Sequence, residues 1–190
     1  MAAPGILYLH GFRSSPASWK IRLLGEHLAA VGLGERLRCP ALSHIPDEAI
    51  AQAEALIAAA DGRLTLVGSS LGGFYATWLA EKHHLRAVLI NPAVIAPRSL
   101  TEHLGTQSNL HTGETFEFTE AHIDQLRALD VAQITPARYL LLVETGDEVL
   151  DYRDAVARYA GCRQIVLEGG DHSFTRFPDF IPQLLEFCGL

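Results

Sequence analysis

The chain has 190 residues, 48% of them hydrophobic and 19% charged, proportions that suit one globular domain and exclude a disordered chain. Its 15 Lys and Arg against 22 Asp and Glu leave a formal net charge of -7, which argues against non-specific nucleic-acid binding because that needs a basic face. Cys39, Cys162 and Cys188 are odd in number, far apart and without CxxC or finger spacing, so they support neither a disulfide framework nor a structural zinc site.

The N-terminal stretch MAAPGILYLHGF lacks a basic n-region, and its apolar run is too short for a signal peptide. No segment approaches the ~18 apolar residues of a membrane span. A cytoplasmic protein with reduced thiols and no membrane partner is expected. GILYLHG (5–11) reads as the first buried strand. A helix over 16–31 follows, with Ile21, Leu24, Leu28 and Val31 at steps of three and four, Ser15 as its cap and Pro16 at its first position. RLRCPAL (36–42) is a weaker strand, and Ile50, Ala53, Ile57 and Ala60 mark a helix over 46–60. RLTLVGSS (63–70), RAVLINP (86–92), RYLLLVETGD (138–147) and RQIVLEGGD (163–171) are further apolar runs that end in turns. They do not alternate strictly, as strands covered on both faces should not. Helices are expected after Ser70, around 152–160 and over 178–188.

Strand–helix alternation implies an α/β fold: a mostly parallel sheet of about six strands, helices on both faces, and one domain spanning 1–190. Sites in such sheets lie at the carboxyl ends of the strands. The stretch 98–125 interrupts the alternation. It is polar and mixed, has little strand character, and carries Leu100, Leu104, Leu110, Phe116 and Phe118. It reads either as a lid with its apolar side toward a substrate or as a pair of surface helices.

Gly68-Ser69-Ser70-Leu71-Gly72 is a G-x-S-x-G between a strand pattern and a helix pattern, the setting of a nucleophile elbow. The sharp turn lifts the serine hydroxyl above the sheet edge. Glycines on either side leave room where side chains would collide. A serine needs a base, and His172, in LEGGDHSF, follows the last strand, where the order Ser…Asp/Glu…His places it. His83, His84, His44, His103, His111 and His122 read as surface groups without metal spacing. The acid should follow the preceding strand, where VETGDEVLDY offers Glu144, Asp147, Glu148 and Asp151. Asp147 is favoured, with Val149 and Leu150 to pack beneath it. Asp151 suits a helix cap, and Asp171 a turn. The backbone N–H groups of Leu71 and of Phe12, in the turn after the first strand, are the expected oxyanion donors. His10 and Arg13, in the same turn, are candidate substrate contacts.

YLHGFRSSPASWK, LVGSSLGGFYATWLAE, LINPAV, NLHTGETFEF, ETGDEVLDYRDAVARY and GGDHSF together resemble the small bacterial YqiA/YcfP-type esterases. The resemblance covers nearly the whole chain. It implies a compact α/β-hydrolase acting on carboxylic esters or acyl thioesters, with Ser70, Asp147 and His172 as its triad. Arg13 departs from the smaller polar residue expected after His-Gly-Phe and bears on substrate preference. The resulting expectation is acyl transfer to Ser70 followed by hydrolysis, with no metal or organic cofactor. The sequence leaves open a silent binding protein on the same fold, and a peptidase or acyltransferase.

Overall fold

The computed structural model describes residues 4–60 and 63–190. The first three residues of the N-terminal stretch lie outside them. In chain order the elements are β1 (Gly5–Leu9), α1 (Trp19–Ala30), β2 (Leu37–Arg38), α2 (Pro46–Ala58), β3 (Leu64–Ser69), α3 (Leu71–His83) and β4 (Arg86–Ile90). There follow α4 (Ala96–Ser99), β5 (Gly105–Ser108), β6 (Thr115–Phe118), α5 (Glu120–Ala128), β7 (Tyr139–Glu144), α6 (Tyr152–Arg158), β8 (Arg163–Leu167) and α7 (Phe177–Cys188).

Six strands form one parallel sheet in the order β2-β1-β3-β4-β7-β8. Successive residues of each strand face opposite sides, and the sequence supplies apolar groups for both. Ile6, Tyr8, Val67, Val88, Ile90, Leu140 and Leu142 share one core with Ile21, Leu24 and Leu28 of α1 and Phe177, Ile181 and Leu184 of α7. Leu7, Leu9, Leu64, Leu66, Ala87, Leu89, Leu141 and Val143 share the other with apolar residues of α2, α3, α5 and α6. Among the described residues no helix is long and apolar enough to cross a membrane.

Two sequence expectations need correction. Helix α1 begins at Trp19 with Ser18 at its N-cap, not at Pro16. Ser15 instead closes a tight turn, accepting the Ala17 N–H on its hydroxyl at 3.1 Å and the Ser18 N–H on its carbonyl at 3.1 Å. The insertion is not a helix pair: β5 and β6 make an antiparallel hairpin, with Gln107 opposite Phe116. Short polar strands with few β-branched residues hide this pairing from a hydrophobicity pattern. Phe118 and Leu100 of this region are buried in the core, whereas Leu110, at the hairpin tip, is 70% exposed.

The strand order reverses between β1 and β3. From β1 the chain steps outward to β2, then returns to the opposite side of β1 as β3. The loops after β1 and β3 therefore part above the sheet and leave a crevice at their carboxyl ends. The candidate site occupies that crevice.

Candidate active site

Ser70 joins β3 directly to α3 with φ 53° and ψ -124°, a conformation non-glycine residues seldom adopt. The turn is held by backbone on both sides. The Ser70 N–H donates to the Ile90 carbonyl at 3.1 Å, and the Ser70 carbonyl accepts from Gly73 at 2.9 Å and Ala93 at 3.0 Å. A Cβ on Gly68 would run into the Gly72 backbone, one on Gly72 into the Leu9 carbonyl, and one on Gly73 into Pro92. The glycines are thus required by close approach of α3 to β1, to β3 and to the turn after β4 rather than by flexibility.

His172 lies in the loop between β8 and α7, and Asp147 in the loop after β7. The His172 Nε2 is 3.1 Å from Ser70 Oγ, and its Nδ1 is 2.8 Å and 3.0 Å from the two Asp147 carboxylate oxygens. A carboxylate only accepts, so Nδ1 carries the proton and Nε2 is left to accept from the serine hydroxyl. The Asp147 side chain is 2% exposed and that of His172 21%. Asp147 is held by backbone donors, accepting from Val149 N–H at 2.9 Å and Leu150 N–H at 2.8 Å. The expected apolar packing beneath it is only half present: Leu150 packs against the core, but Val149 is 60% exposed. Asp151 caps α6 by accepting the Arg153 N–H at 2.9 Å, away from the histidine. Glu148 accepts the His172 backbone N–H at 2.9 Å.

Sequence reading missed the residues that hold the histidine loop. Asn91, just past β4, is buried at φ 39°. Its amide donates to the carbonyls of Asp171 at 3.0 Å and His172 at 3.2 Å, while its Oδ1 accepts the Glu144 N–H at 3.0 Å. Glu144, wholly buried, accepts the Asp171 N–H at 2.8 Å and pairs with Arg176 at 2.6 Å. Gly170 adopts φ 79° where a Cβ would enter that carboxylate. In the sequence, LINP looks like an ordinary strand end, and Glu144 and Glu148 stand only as alternatives for the acid. Only a polar residue at the tail of an apolar run hinted at these roles.

Across the crevice, the turn after β1 approaches Ser70 from the other side. A Cβ on Gly11 would lie 3.2 Å from Ser70 Cβ. The Phe12 and Leu71 N–H groups have no acceptor among the described residues. Both residues line an open cleft, together with His10, Arg13, Leu42, His44, Tyr75, Asn109 and Phe116. His10 is 5% exposed and both its ring nitrogens are engaged: Nε2 accepts the Leu42 N–H at 3.0 Å, so Nδ1 donates to the Gly11 carbonyl at 3.0 Å. Burial pushes its pKa below the ordinary histidine value, and the Gly11 contact opposes that shift. It shapes the turn, with no ring nitrogen free for a substrate.

The hairpin is tied to the same turn. Arg13 Nε donates to the Ser108 carbonyl at 2.9 Å, the Leu110 N–H donates to the Arg13 carbonyl at 2.8 Å, and the Asn109 amide donates to the Ser14 carbonyl at 2.7 Å. Phe12 packs edge-on against Phe118 and Phe116 at ring centroid distances of 4.9 and 5.9 Å. His44 stacks on Phe116 at 4.5 Å. His83 pairs with Glu54 at 2.6 Å, and His84 meets Arg138 at 3.0 Å. Among the described residues no group of His, Cys, Asp and Glu could hold a metal ion.

A model of an uncharacterised protein family, UPF0227, matches residues 5–189. Among solved structures the chain is similar to mouse alpha/beta hydrolase domain-containing protein 10, with TM-score 0.76 and 17% identity over 99% of this chain and 90% of that one. It is also similar to Est1E from Butyrivibrio proteoclasticus, solved with ferulic acid, with TM-score 0.69 and 16% identity over 97% and 88% of the two chains. A third likeness is to the monoacylglycerol lipase of Paleococcus ferrophilus, with TM-score 0.68 and 16% identity over 96% and 93%. At such identities the shared property is the α/β-hydrolase fold.

Proposed function

This chain belongs to the UPF0227 family, the family of the YqiA/YcfP-type proteins, and we propose that it is a serine hydrolase cleaving carboxylic esters or acyl thioesters. Ser70 is the nucleophile, His172 the base and Asp147 the acid that orients it. The reading is carried by the unbroken relay from Ser70 Oγ through His172, with contacts of 3.1 Å and 2.8 Å. Esterases and a lipase among proteins of the same fold support the substrate class.

In the first half-reaction Ser70 Oγ bonds to the acyl carbon while its proton passes to His172 Nε2. The carbonyl electrons move onto oxygen, and the Phe12 and Leu71 N–H groups donate hydrogen bonds to the resulting oxyanion. As the carbonyl re-forms, the bond to the leaving oxygen or sulfur breaks and that atom takes the proton from His172. Water then repeats the sequence on the acyl-serine, releasing the carboxylic acid and restoring Ser70. Asp147 stays ionised and balances the transient imidazolium. No step calls for a metal or organic cofactor. The β5–β6 hairpin serves as a cover, with Phe116 against the substrate.

A fluorophosphonate probe tests this directly. It is expected to label Ser70 in the native chain and not in Ser70→Ala, which folds normally yet loses ester hydrolysis by ~10⁴-fold or more. A folded chain left unlabelled at Ser70 points instead to a binding protein on this fold.

A further inference from the structure

Arg13 is a fixed cation whose charge the protein does not use. Its backbone sits at φ 57°, its carbonyl is taken by the Leu110 N–H, and its Nε is anchored on the Ser108 carbonyl. Its two terminal amino groups have no acceptor, and no carboxylate pairs with it, among the described residues. Arg13 lines the cleft that also contains Phe12 and Leu71, the proposed oxyanion donors. That lining includes no Asp or Glu, and the nearby Glu48 carboxylate accepts from the hydroxyl of Ser43, one of the lining residues, at 2.7 Å. Among the described residues that line the cleft, Arg13 is the one permanently charged side chain. An anchored guanidinium with its forked donors free is suited to a planar oxyanion.

Resting on the hydrolase reading above, we propose that this cleft selects ester substrates that carry a carboxylate, and that Arg13 is the residue that binds it. The hairpin contributes by holding Arg13 in place through Ser108 and Leu110. The carboxylate is distinct from the ester being cleaved: it docks on Arg13, while the acyl carbon lies between Ser70 and the Phe12 and Leu71 N–H groups.

The test compares matched substrate pairs on the native chain. One pair is the mono-4-nitrophenyl ester of glutaric acid against 4-nitrophenyl pentanoate, which places the carboxylate on the acyl side. The other is acetylated 4-hydroxybenzoate against phenyl acetate, which places it on the leaving side. In one of the pairs kcat/KM is expected to favour the anionic ester by about 10-fold or more. Arg13→Gln is expected to lower kcat/KM for that ester by about 10–100-fold, mainly through KM, as loss of a hydrogen bond to a charged group does. Arg13→Lys retains part of the preference. Raising ionic strength erodes the preference in the unmodified chain, a readout independent of whether the variants fold. If both pairs are cleaved with equal efficiency by a chain whose Ser70 takes the fluorophosphonate, the carboxylate proposal is overturned and the hydrolase reading stands. If Ser70 is unreactive and no ester is cleaved, the hydrolase reading fails and takes this one with it.

Discussion

Around Ser70 the chain is positioned by backbones in contact; around His172 it is positioned by side chains reaching in from other strands. Gly68 and Gly72 let β1, β3 and α3 approach so closely that no side chain fits between them, and Gly73 lets α3 meet Pro92 just past β4. The histidine loop has one such approach, Gly146 against the backbone of Gly169 and Gly170, where the Gly146 N–H also donates to the Gly169 carbonyl at 2.8 Å. Beyond it, the segment from Asp171 to Ser173 hangs on the Asn91 amide, the Glu144 carboxylate and the Glu148 carboxylate, with Lys20 adding a bond to the Ser173 carbonyl at 2.7 Å. The first arrangement is a matter of sterics and is intolerant of any added atom. The second is a polar network, so each member can be removed at a graded cost. Substitutions on the two sides should therefore differ in kind as well as size.

After Ser70 itself, the largest effect is expected at the acid. Asp147→Asn keeps the shape but permits the wrong histidine tautomer, and kcat should fall by ~10³–10⁴-fold with stability little changed. Asp151→Asn retains a capping oxygen and should keep full activity. Equal losses in steady-state kinetics of the two variants would reassign the acid.

On the elbow side, Gly72→Ala drives a methyl into the Leu9 carbonyl. It is expected to lower unfolding free energy by about 3 kcal/mol, read from urea denaturation, with activity lost alongside the fold. On the loop side, Asn91→Gly tolerates the positive φ and removes the bracket. There kcat should drop 10–100-fold at nearly constant KM, with a stability loss of only about 1–3 kcal/mol. If the two variants show the same ratio of activity loss to stability loss, the distinction between steric and polar positioning is wrong.

The smallest effect concerns His10. Burial holds its folded pKa below the ordinary 6.5, so the unfolded chain binds a proton that the folded chain does not. This contribution to stability is present at neutral pH and is lost as pH falls below about 6.5, at a slope set by the difference in bound protons. His10→Asn should flatten that part of the stability–pH curve in denaturation series between pH 7.5 and 5.5. An unchanged slope would separate His10 from the acid sensitivity.

The apolar runs, the helical stripes and the G-x-S-x-G were legible because each is a local pattern, repeated at the period of its own element. The strand boundaries and the parallel sheet followed from them. Ser70, His172 and Asp147 could be chosen because such residues sit at strand ends in a fixed chain order. The β5–β6 hairpin was hidden because its strands are short and polar, and its pairing with the turn at Arg13 joins residues 95 apart in sequence. The part of Asn91 and Glu144 in holding the histidine loop was hidden for a similar reason: their partners lie 27 to 81 residues away. The sequence by itself determined which side chains are chemically able to act and which strands present them. Only the tertiary structure decided that β1 and β3 are neighbours at the point where the sheet order reverses, with Gly11 and Ser70 facing across that crevice. The physical reason is that strand order and loop docking depend on packing between distant segments, which no local periodicity records.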